Sequence, residues 1–349
     1  MSEFARLVTI DPNSIDDMLV AEAGAALAAG QLVAIPTETV YGLGCNALDP
    51  DAIAGVFAAK GRPASDPLIV HVDGVDMADT LVDGGLPEVA ARLADAFWPG
   101  PLTMVLPKTA RVPDAITSGG PTVGVRCPAH PVARALITEA GVPVAAPSAN
   151  RFGRISPTTA EHVVEELGDR IDVIVDAGPA DHGVESTVVT FDAGEAVILR
   201  HGAITAEALA EHVAVRDVER TDTEARAAAP GHDVRHYSPR TPAVATTVAP
   251  GDAPPGNVAY VGYRDREVPL PQGWRFFPLG DHHDLETVAR HLYANLRRLD
   301  ATAPDLIVIE LAGAGGIGRA IDDRLGRAAS GAVATTADEL ADLVVARLG

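Results

Sequence analysis

Short apolar clusters separated by Pro, Gly and Thr recur along the first 215 positions, which predicts a mixture of strands and helices. Asn13 is the predicted N-cap of the first helix, and Gly30 is its predicted end. Helices are predicted at 13–29, 51–59, 131–140 and 159–167, and strands at 32–35, 68–72, 104–106, 123–126, 142–146, 173–175 and 186–191. The pattern therefore predicts an α/β domain with a twisted mixed open sheet flanked by helices.

The pattern changes at 221–230, which is charged and Ala-rich and has no apolar periodicity. We interpret 216–242 as a linker between a first domain at 1–215 and a second at 243–349. After a Pro- and Gly-rich stretch at 249–256, the second domain shows strands at 258–262, 274–279 and 306–311 and helices at 284–299 and 318–328. This alternation predicts a small Rossmann-like α/β domain with parallel strands.

Charge and cysteine content narrow the class of protein. The chain of 349 residues has 27 basic and 48 acidic residues, a net charge of −21. Such a charge disfavours a direct, stable nucleic-acid complex. Cys45 and Cys127 provide neither a disulfide framework nor metal-ligand spacing. The polar N-terminus and the lack of a long apolar run predict a soluble, cytoplasmic protein without a membrane segment.

Lysine is almost absent from this chain. Of the 27 basic residues only Lys60 and Lys108 are Lys, and Lys60 lies in the Gly/Pro loop Lys60-Gly61-Arg62-Pro63. An ammonium suits a phosphate oxygen, and a guanidinium suits a bidentate anion, so the loop is a candidate phosphate site. The alternative is a solvated Lys that closes a helix in front of a Gly C-cap.

Several other polar residues follow predicted strands, where open α/β sheets bind ligands. Thr37, Thr39 and Tyr41 have hydroxyls for a polar ligand, or they cap a turn together with Glu38. Further candidates, each with a purely structural alternative, are His71 (a core residue), Arg126 (paired with an internal Asp or Glu), and Ser148 and Asn150 (turn residues). The Gly-rich segment 313–318 fits a dinucleotide fingerprint, but we interpret it as turn geometry because only about 30 residues follow it.

The motifs occur in a characteristic order. They are 36–44, Lys60-Gly61-Arg62-Pro63, 66–71, 98–103, 123–126, 146–150, 186–188 and 199–202. This ordered set closely resembles the threonylcarbamoyl-AMP synthase family from residue 10 to about 210. A later segment, Arg235-His236-Tyr237-Ser238-Pro239, resembles the linker of the long two-domain form.

The resemblance implies a nucleotidyltransferase that condenses L-threonine, bicarbonate or CO2, and ATP into threonylcarbamoyl-AMP and releases pyrophosphate, for modification of tRNA. Lys60 and Arg62 would be catalytic by stabilising charge on the phosphates. The residues implied for L-threonine are Thr37, His71, Arg126, Ala146 and Ser186. Those implied for ATP are Lys60, Arg62, Thr122, Ser148, Asn150, Ser156 and Arg200, with Arg235, His236 and Tyr237 of the linker folding back over the site.

Further expectations follow from the resemblance. Mg²⁺ would arrive with ATP, and no tightly bound protein metal site is expected. A downstream tRNA threonylcarbamoyltransferase would be a transient partner. Asp66 stands where the family often has Asn, so it is expected to face magnesium or solvent. Two other functions stay open: a double-stranded RNA or tRNA-binding module, and a carbamoyl-transfer maturation enzyme of the same fold.

Overall fold

The computed structural model describes residues 4–218, 236–266, 268–313 and 315–348. The chain divides into two compact units. The first comprises Met1–Phe152 and Ser156–His232, and the second comprises Gly153–Ile155 and Asp233–Gly349. No feature of the sequence predicted that residues 153–155 group with the second unit.

The first unit is built on a mixed sheet, as predicted. Its eleven described strands are β1 Arg6–Thr9, β2 Val33–Ile35, β3 Gly42–Asn46, β4 Ile69–His71, β5 Leu102–Pro107, β6 Thr122–Arg126, β7 Val144–Ala145, β8 Val173–Asp176, β9 Thr187–Asp192, β10 Glu195–Arg200 and β11 Val215–Asp217. Their order is β1-β8-β2-β3-β7-β4-β6-β5-β9-β10-β11. β4 and β6 are parallel, whereas β7 runs antiparallel to both β3 and β4.

Helices cover both faces of this sheet. The described helices of the first unit are α1 Asp17–Ala28, α2 Pro50–Lys60, α3 Val75–Asp79, α4 Glu88–Phe97, α5 Asp114–Thr117, α6 Pro131–Ala140, α7 Ala160–Leu167 and α8 Ala206–Ala210. Along β2, Val33 and Ile35 pack in the core formed with α1 and α6, whereas Ala34 packs in the core formed with α2, α4 and α7. Burial on both faces explains why the strand sequences are continuously apolar.

Several local expectations were wrong. Asp16, not Asn13, is the N-cap of α1, because its carboxylate accepts hydrogen bonds from the backbone N–H groups of Met18 and Leu19. The strand expected at 142–146 is confined to the two residues of β7. β3 was missed because the glycines at 42 and 44 interrupt its apolar pattern.

The second unit is a parallel α/β domain, as predicted. Its described strands are β12 Ala243–Thr246, β13 Val258–Tyr263, β14 Arg275–Gly280, β15 Leu306–Glu310 and β16 Val333–Ala334, in the order β14-β13-β15-β12-β16. Its described helices are α9 Leu285–Asp300, α10 Gly318–Ala328 and α11 Ala337–Leu348. The sequence analysis missed β12, β16 and α11. In the described part of the chain, no helix combines the length and the apolar character that crossing a membrane requires.

The two candidate N-caps of α1 can be distinguished by mutation. Asp16→Ala is expected to lower the free energy of unfolding of the first unit by about 1 kcal/mol, because two backbone N–H groups lose their acceptor. Asn13→Ala is the matched control and should change it by less than about 0.5 kcal/mol, since Asn13 is exposed. Urea denaturation in a Trp274→Phe background measures this, because Trp98 is then the only tryptophan. Equal losses in the two variants would contradict the assignment.

Candidate active site

Strand register places two of the polar candidates, His71 and Arg126, on one face of the sheet. His71 lies opposite Arg126 on the neighbouring parallel strand, so their side chains point to the same side. The backbone N–H of Ala146, one residue after β7, donates to the Ile69 carbonyl (3.0 Å). Because β4 has only three residues, its two ends are about 7 Å apart, and groups at both ends can contact one small ligand.

A buried ion pair holds Arg126. Its Nη2 donates to Oε1 of Glu38 (2.6 Å), and its Nη1 donates to Oγ1 of Thr39 (3.0 Å). Its Nε lies 3.4 Å from the carbonyl oxygen of Gly100. An internal carboxylate therefore partners this Arg. Among the described residues, these contacts use three of the five N–H donors of the guanidinium. The other two N–H groups can bind a ligand.

Burial and charge set the protonation of this group. Burial opposes ionisation of Glu38, but the charge and hydrogen bond of Arg126 outweigh it and lower the pKa of the carboxyl. Burial, reinforced by the nearby Arg126, lowers the pKa of His71 to about 3. The imidazole is therefore neutral at physiological pH. Its Nδ1 is buried and has no hydrogen-bond partner among the described residues, so it is available to a ligand.

The hydroxyls after β2 have different roles. Thr37 Oγ1 donates to the Val40 carbonyl (2.5 Å) and lies 2.9 Å from Thr39 Oγ1, so both threonines shape the turn beside Arg126. The hydroxyl of Tyr41 instead donates to the carbonyl of Gly178 (2.6 Å), and burial raises its pKa. Tyr41 is therefore a structural core residue, an outcome different from both the ligand contact and the turn cap considered from the sequence.

Lys60 is the last residue of α2, but it is buried rather than solvated. Gly61 ends the helix with a φ of 63°, in the left-handed region that glycine tolerates. The Lys60 ammonium donates to the backbone carbonyls of Ser148 and, at 2.6 Å, Asn150. Within the described ranges no carboxylate forms an ion pair with it. Burial, followed by the charge of Arg62, lowers the pKa of Lys60 well below its usual value.

Arg62 is held by its own loop. Its Nη2 contacts Oδ2 of Asp66 (2.9 Å) and donates to the carbonyl of Pro67 (2.8 Å). Asp66 is only 8% exposed, so the expectation that it faces solvent was wrong. The carboxylate at this position orients the guanidinium of Arg62.

A third group joins β5, β9 and β10. Ser186 Oγ lies 2.8 Å from Thr103 Oγ1, and Arg200 Nη2 donates to the carbonyl of Ser186 (2.9 Å) and lies 3.2 Å from its Oγ. Thr103 adjoins Met104, which pairs with Val125, so it lies beside the end of β6 that carries Arg126. Ser186, which was expected to contact threonine, and Arg200, which was expected to contact ATP, are therefore direct neighbours.

The other expected ligand residues lie nearby in the fold or outside the described residues. Ser156 donates to Oε1 of Glu185 (2.8 Å), and Asn150 Nδ2 donates to the carbonyl of Arg151 (2.8 Å). Thr122 begins β6, about 13 Å along the strand from Arg126, and follows α5, which packs on α2. Arg235 lies outside the described residues.

His236 and Tyr237 belong to the second unit. Their rings meet edge to face (centroids 4.2 Å apart), and Tyr237 stacks on Tyr293 at 5.5 Å. Arg324 lies over the Tyr237 ring at 5.5 Å. Tyr237 is therefore a packed residue of that unit, so its removal would also disturb local packing.

Three polar residues of this region were not selected as candidate ligand contacts from sequence. Glu38 was considered only as a turn residue, Thr103 only as part of the 98–103 motif, and Glu185 not at all. The signal for Glu38 is weak because its partner, Arg126, lies 88 residues away. The Thr of the Gly100-Pro101-Leu102-Thr103 segment is the only hint of the contact with Ser186.

Two curated proteins named threonylcarbamoyl-AMP synthase are similar to nearly the whole chain. The Bacillus subtilis protein is 40% identical over 334 residues, covering 93% of this chain and 96% of that protein. The Pyrococcus abyssi protein is 40% identical over 333 residues, covering 91% and 95%. A crystal structure of Pyrococcus abyssi Sua5 with L-threonine superposes with a TM-score of 0.82 at 35% identity, covering 95% of this chain and 99% of that one.

The fold is that of a mixed-sheet α/β protein whose cations Lys60, Arg62 and Arg126 are buried. The Sua5/YciO/YrdC profile, described as telomere recombination, matches residues 25–202. The profile of the threonylcarbamoyl-AMP synthase C-terminal domain matches residues 204–330. The chain belongs to the threonylcarbamoyl-AMP synthase family, which confirms the resemblance of its ordered motifs.

The buried Glu38–Arg126 pair makes a testable contribution to stability. Glu38→Gln should lower the free energy of unfolding of the first unit by about 3–5 kcal/mol at pH 7, because a buried guanidinium loses its counter-charge. The folded pKa of Glu38 lies below its usual value, so this contribution is complete above about pH 4.5 and is lost as the pH falls through the folded pKa. Urea denaturation at pH 7, 5 and 3.5 in the Trp274→Phe background, followed by Trp98 fluorescence, measures it.

The exposed pair Lys108–Asp114 provides the matched control. Its atoms lie 2.6 Å apart, but the Asp114 side chain is 85% exposed. Asp114→Asn should therefore cost no more than about 1 kcal/mol at any of these pH values. A loss for Glu38→Gln as small as that of Asp114→Asn would show that the buried pair does not hold this site together.

Proposed function

We propose that this chain synthesises threonylcarbamoyl-AMP from L-threonine, bicarbonate or CO2, and ATP, with release of pyrophosphate, for modification of tRNA. The observation that carries the proposal is the Lys60 ammonium, which is buried with two carbonyls as acceptors. An ammonium removed from water needs a counter-charge, and a phosphate oxygen provides it. The names of the full-length relatives and the threonine complex of the Pyrococcus abyssi protein support the same activity.

The chemistry needs no covalent intermediate with the protein. The amine of threonine attacks CO2 and loses a proton, which gives a carbamate. A carbamate oxygen then attacks the α-phosphorus of ATP, and the bond to the bridging oxygen breaks as pyrophosphate leaves. The product is a mixed anhydride of carbamate and AMP. Charge develops on the phosphate oxygens, where fixed cations stabilise it without reorganising.

The threonine subsite is proposed around Arg126. Its two remaining N–H donors suit the substrate carboxylate, and the neutral His71 offers Nδ1 to a polar group of the substrate. Ala146, Thr37 and Ser186 complete the proposed subsite. Glu38 neutralises Arg126 beforehand, so this subsite recognises the carboxylate by geometry more than by net charge.

The ATP subsite is proposed around Lys60 and Arg62, which carry the catalytic role. The further contacts proposed for ATP are Thr122, Ser148, Asn150, Ser156 and Arg200. Mg²⁺ would enter as part of the MgATP substrate and supply charge on the leaving pyrophosphate. Asp66 would act by orienting Arg62 toward the phosphates.

The proposed partners follow from the product. The acyl-adenylate hydrolyses readily, so a downstream tRNA threonylcarbamoyltransferase would receive it in a transient encounter. The net charge of −21 disfavours a stable complex of this chain with tRNA itself.

A pyrophosphate-release assay tests the proposal. Release should require ATP, L-threonine and bicarbonate together, and omission of any one should abolish it. Lys60→Ala should reduce turnover by about a hundredfold or more, because a fixed cation is lost from the phosphates. Lys108→Ala is the matched control, since it removes the other lysine of the chain, which pairs with Asp114. Normal turnover by folded Lys60→Ala would remove Lys60 from the mechanism.

We also propose that the linker residues Arg235, His236 and Tyr237 act as a lid that retains the acyl-adenylate. In this proposal the catalytic domain is 1–215, the linker is 216–242, and the supporting domain is 243–349. The motivation is the cluster of polar and aromatic residues in this linker, because excluding water protects a labile anhydride. A solved Pyrococcus abyssi structure carries alanine at a neighbouring His and Tyr, which shows that such a pair has been altered in a relative.

Truncation after Val218 tests the lid. The shortened chain should fold, because a Mycobacterium tuberculosis relative aligns over 205 residues, 59% of this chain and 93% of that protein, at 38% identity. We expect it to release free threonylcarbamoyl-AMP, or to lose activity, while circular dichroism shows a folded protein. Retention of product equal to that of the full chain would refute the lid while leaving the synthase activity intact.

A further inference from the structure

Polar side chains of the second unit gather where its parallel strands end. Asp265 and Arg266 follow β13, His282 follows β14, and Glu310 is the last residue of β15. β13 and β15 are neighbours, and the chain leaves them in opposite directions, toward β14 on one side and toward β16 on the other. This reversal marks the topological switch point, at which open α/β sheets bind ligands.

Three of these groups have the chemistry of metal ligands. Asp265, His282 and His283 each offer one ligand atom, and these atoms lie within 4.8 Å of one another. The Asp265 carboxylate is already oriented, because Oδ1 accepts from the backbone N–H of His282 (2.7 Å). Its Oδ2 lies 3.5 Å from Nε2 of His283. Small side-chain rotations would bring all three atoms to about 2.1 Å from one ion.

The ring of His282 is fixed by contacts of its Nε2. This atom lies 2.8 Å from the Ala312 carbonyl oxygen and 2.6 Å from Nη2 of Arg266, and Tyr263 meets the ring edge on with centroids 5.0 Å apart. Nδ1 is therefore the nitrogen that remains for an ion. A metal on Nδ1 requires the hydrogen on Nε2, which then donates to Ala312, the outer contact common to metal-bound histidines. Arg266 Nη2 can only donate, so on metal binding it must turn from Nε2 toward the carbonyl oxygen of Ala312, which it already approaches at 3.3 Å.

The neighbouring positive charge is balanced. Arg266 Nη1 pairs with Oε1 of Glu310 (2.5 Å), and the Tyr260 hydroxyl donates to Oε2 of the same carboxylate (3.2 Å). Gly262 makes this close arrangement possible, because a Cβ there would lie 2.7 Å from Glu310 Oε2. The hydroxyl of Tyr263, which packs against His282, is buried and has no hydrogen-bond partner among the described residues. The part of this region that the structure describes therefore holds a polar group, the Tyr263 hydroxyl, without a protein partner.

An anion is a poor fit at this edge. The backbone N–H groups of Ala312 and Gly313, at the start of the Gly-rich segment, donate to the Asp322 carboxylate at 2.6 and 2.9 Å. A phosphate at these groups would have to displace a carboxylate that is tied to α10. The occupied donors favour a cation, and two imidazoles with one carboxylate are typical ligands of borderline transition metals rather than of Mg²⁺ or Ca²⁺.

We propose that Asp265, His282 and His283 form a divalent transition-metal site of the zinc class in the second unit, with the remaining coordination positions left to water. This site was not expected from the sequence, because Asp265 and the two histidines are 17 and 18 residues apart and match no spaced ligand motif. The site is independent of the chemistry of the first unit.

Zinc titration of the full chain tests the proposal. Isothermal titration calorimetry with ZnCl2 alone should show one site per chain. His283→Ala and Asp265→Asn should each weaken it by at least about 10–100-fold, since loss of even an outer contact has that effect. The His283 side chain is 86% exposed, and Asn at 265 can still accept from the backbone N–H of His282, so the variants should fold. His291→Ala, which removes an exposed histidine of α9, is the matched control and should bind zinc like the unaltered chain.

Cobalt provides an independent readout. Co²⁺ bound by two imidazoles and a carboxylate should give visible absorption bands in the unaltered chain and in His291→Ala, and these bands should be absent from His283→Ala. Pyrophosphate release by the same variants separates this proposal from the proposed function, because it should persist whether or not zinc binds. Equal zinc affinity in all four proteins, or no site in the unaltered chain, would overturn the proposal.

Discussion

The first unit depends on how it accommodates one buried ammonium. Removing such a charge from water costs several kcal/mol, and two neutral carbonyls offset only part of that cost. The end of α2 must deliver Lys60 inward, and the turn at Ser148–Asn150 must direct its carbonyl oxygens toward it. The result is a rigid cationic point that gains its missing counter-charge only when an anion binds. Under the proposed function, this cation would supply affinity for phosphate before any substrate arrives.

Two buried guanidinium groups of the first unit differ from Lys60, because each has a carboxylate partner. Arg126 is balanced by Glu38 and Arg62 by Asp66, and both carboxylates are buried. Such pairs fix the direction of each guanidinium, whereas Lys60 provides charge that no carboxylate among the described residues neutralises. Under the proposed function, the unbalanced cation would serve the phosphates of ATP, and the oriented guanidinium of Arg126 would place the carboxylate of threonine.

Sequence predicted the elements whose ends carry their own signals. α6 begins at Pro131 and ends before Gly141, which is in the left-handed conformation, and α7 begins after its N-cap Thr159 and ends before Gly168. By contrast, α1 offered two plausible caps, and only the observed backbone distinguishes Asp16 from Asn13. β3 was missed because glycine has no hydrophobic signal.

The site was predictable only in part, for a related reason. Lys60 and Arg62 were identified by their composition and loop, which are local features. The pairing of Glu38 with Arg126 joins segments 88 residues apart, and the partner of Asp66 depends on how its loop closes. The metal ligands proposed in the second unit come together only because two parallel strands end at the same edge of a sheet. Such long-range pairings are decided by topology, which periodicity does not reveal.

The two carbonyl acceptors of Lys60 have a consequence for mutagenesis. These acceptors are main-chain oxygens, which every amino acid possesses, so an alanine scan through 148–150 would leave them in place. Replacement of Ser148 or Asn150 would therefore report only what their side chains do. A residue whose contribution lies entirely in its backbone is silent in such a scan, and tolerance of substitution at these positions is no measure of their importance. The role of these carbonyl groups would be detected only by changes that alter the backbone path, such as an insertion or a proline in the turn.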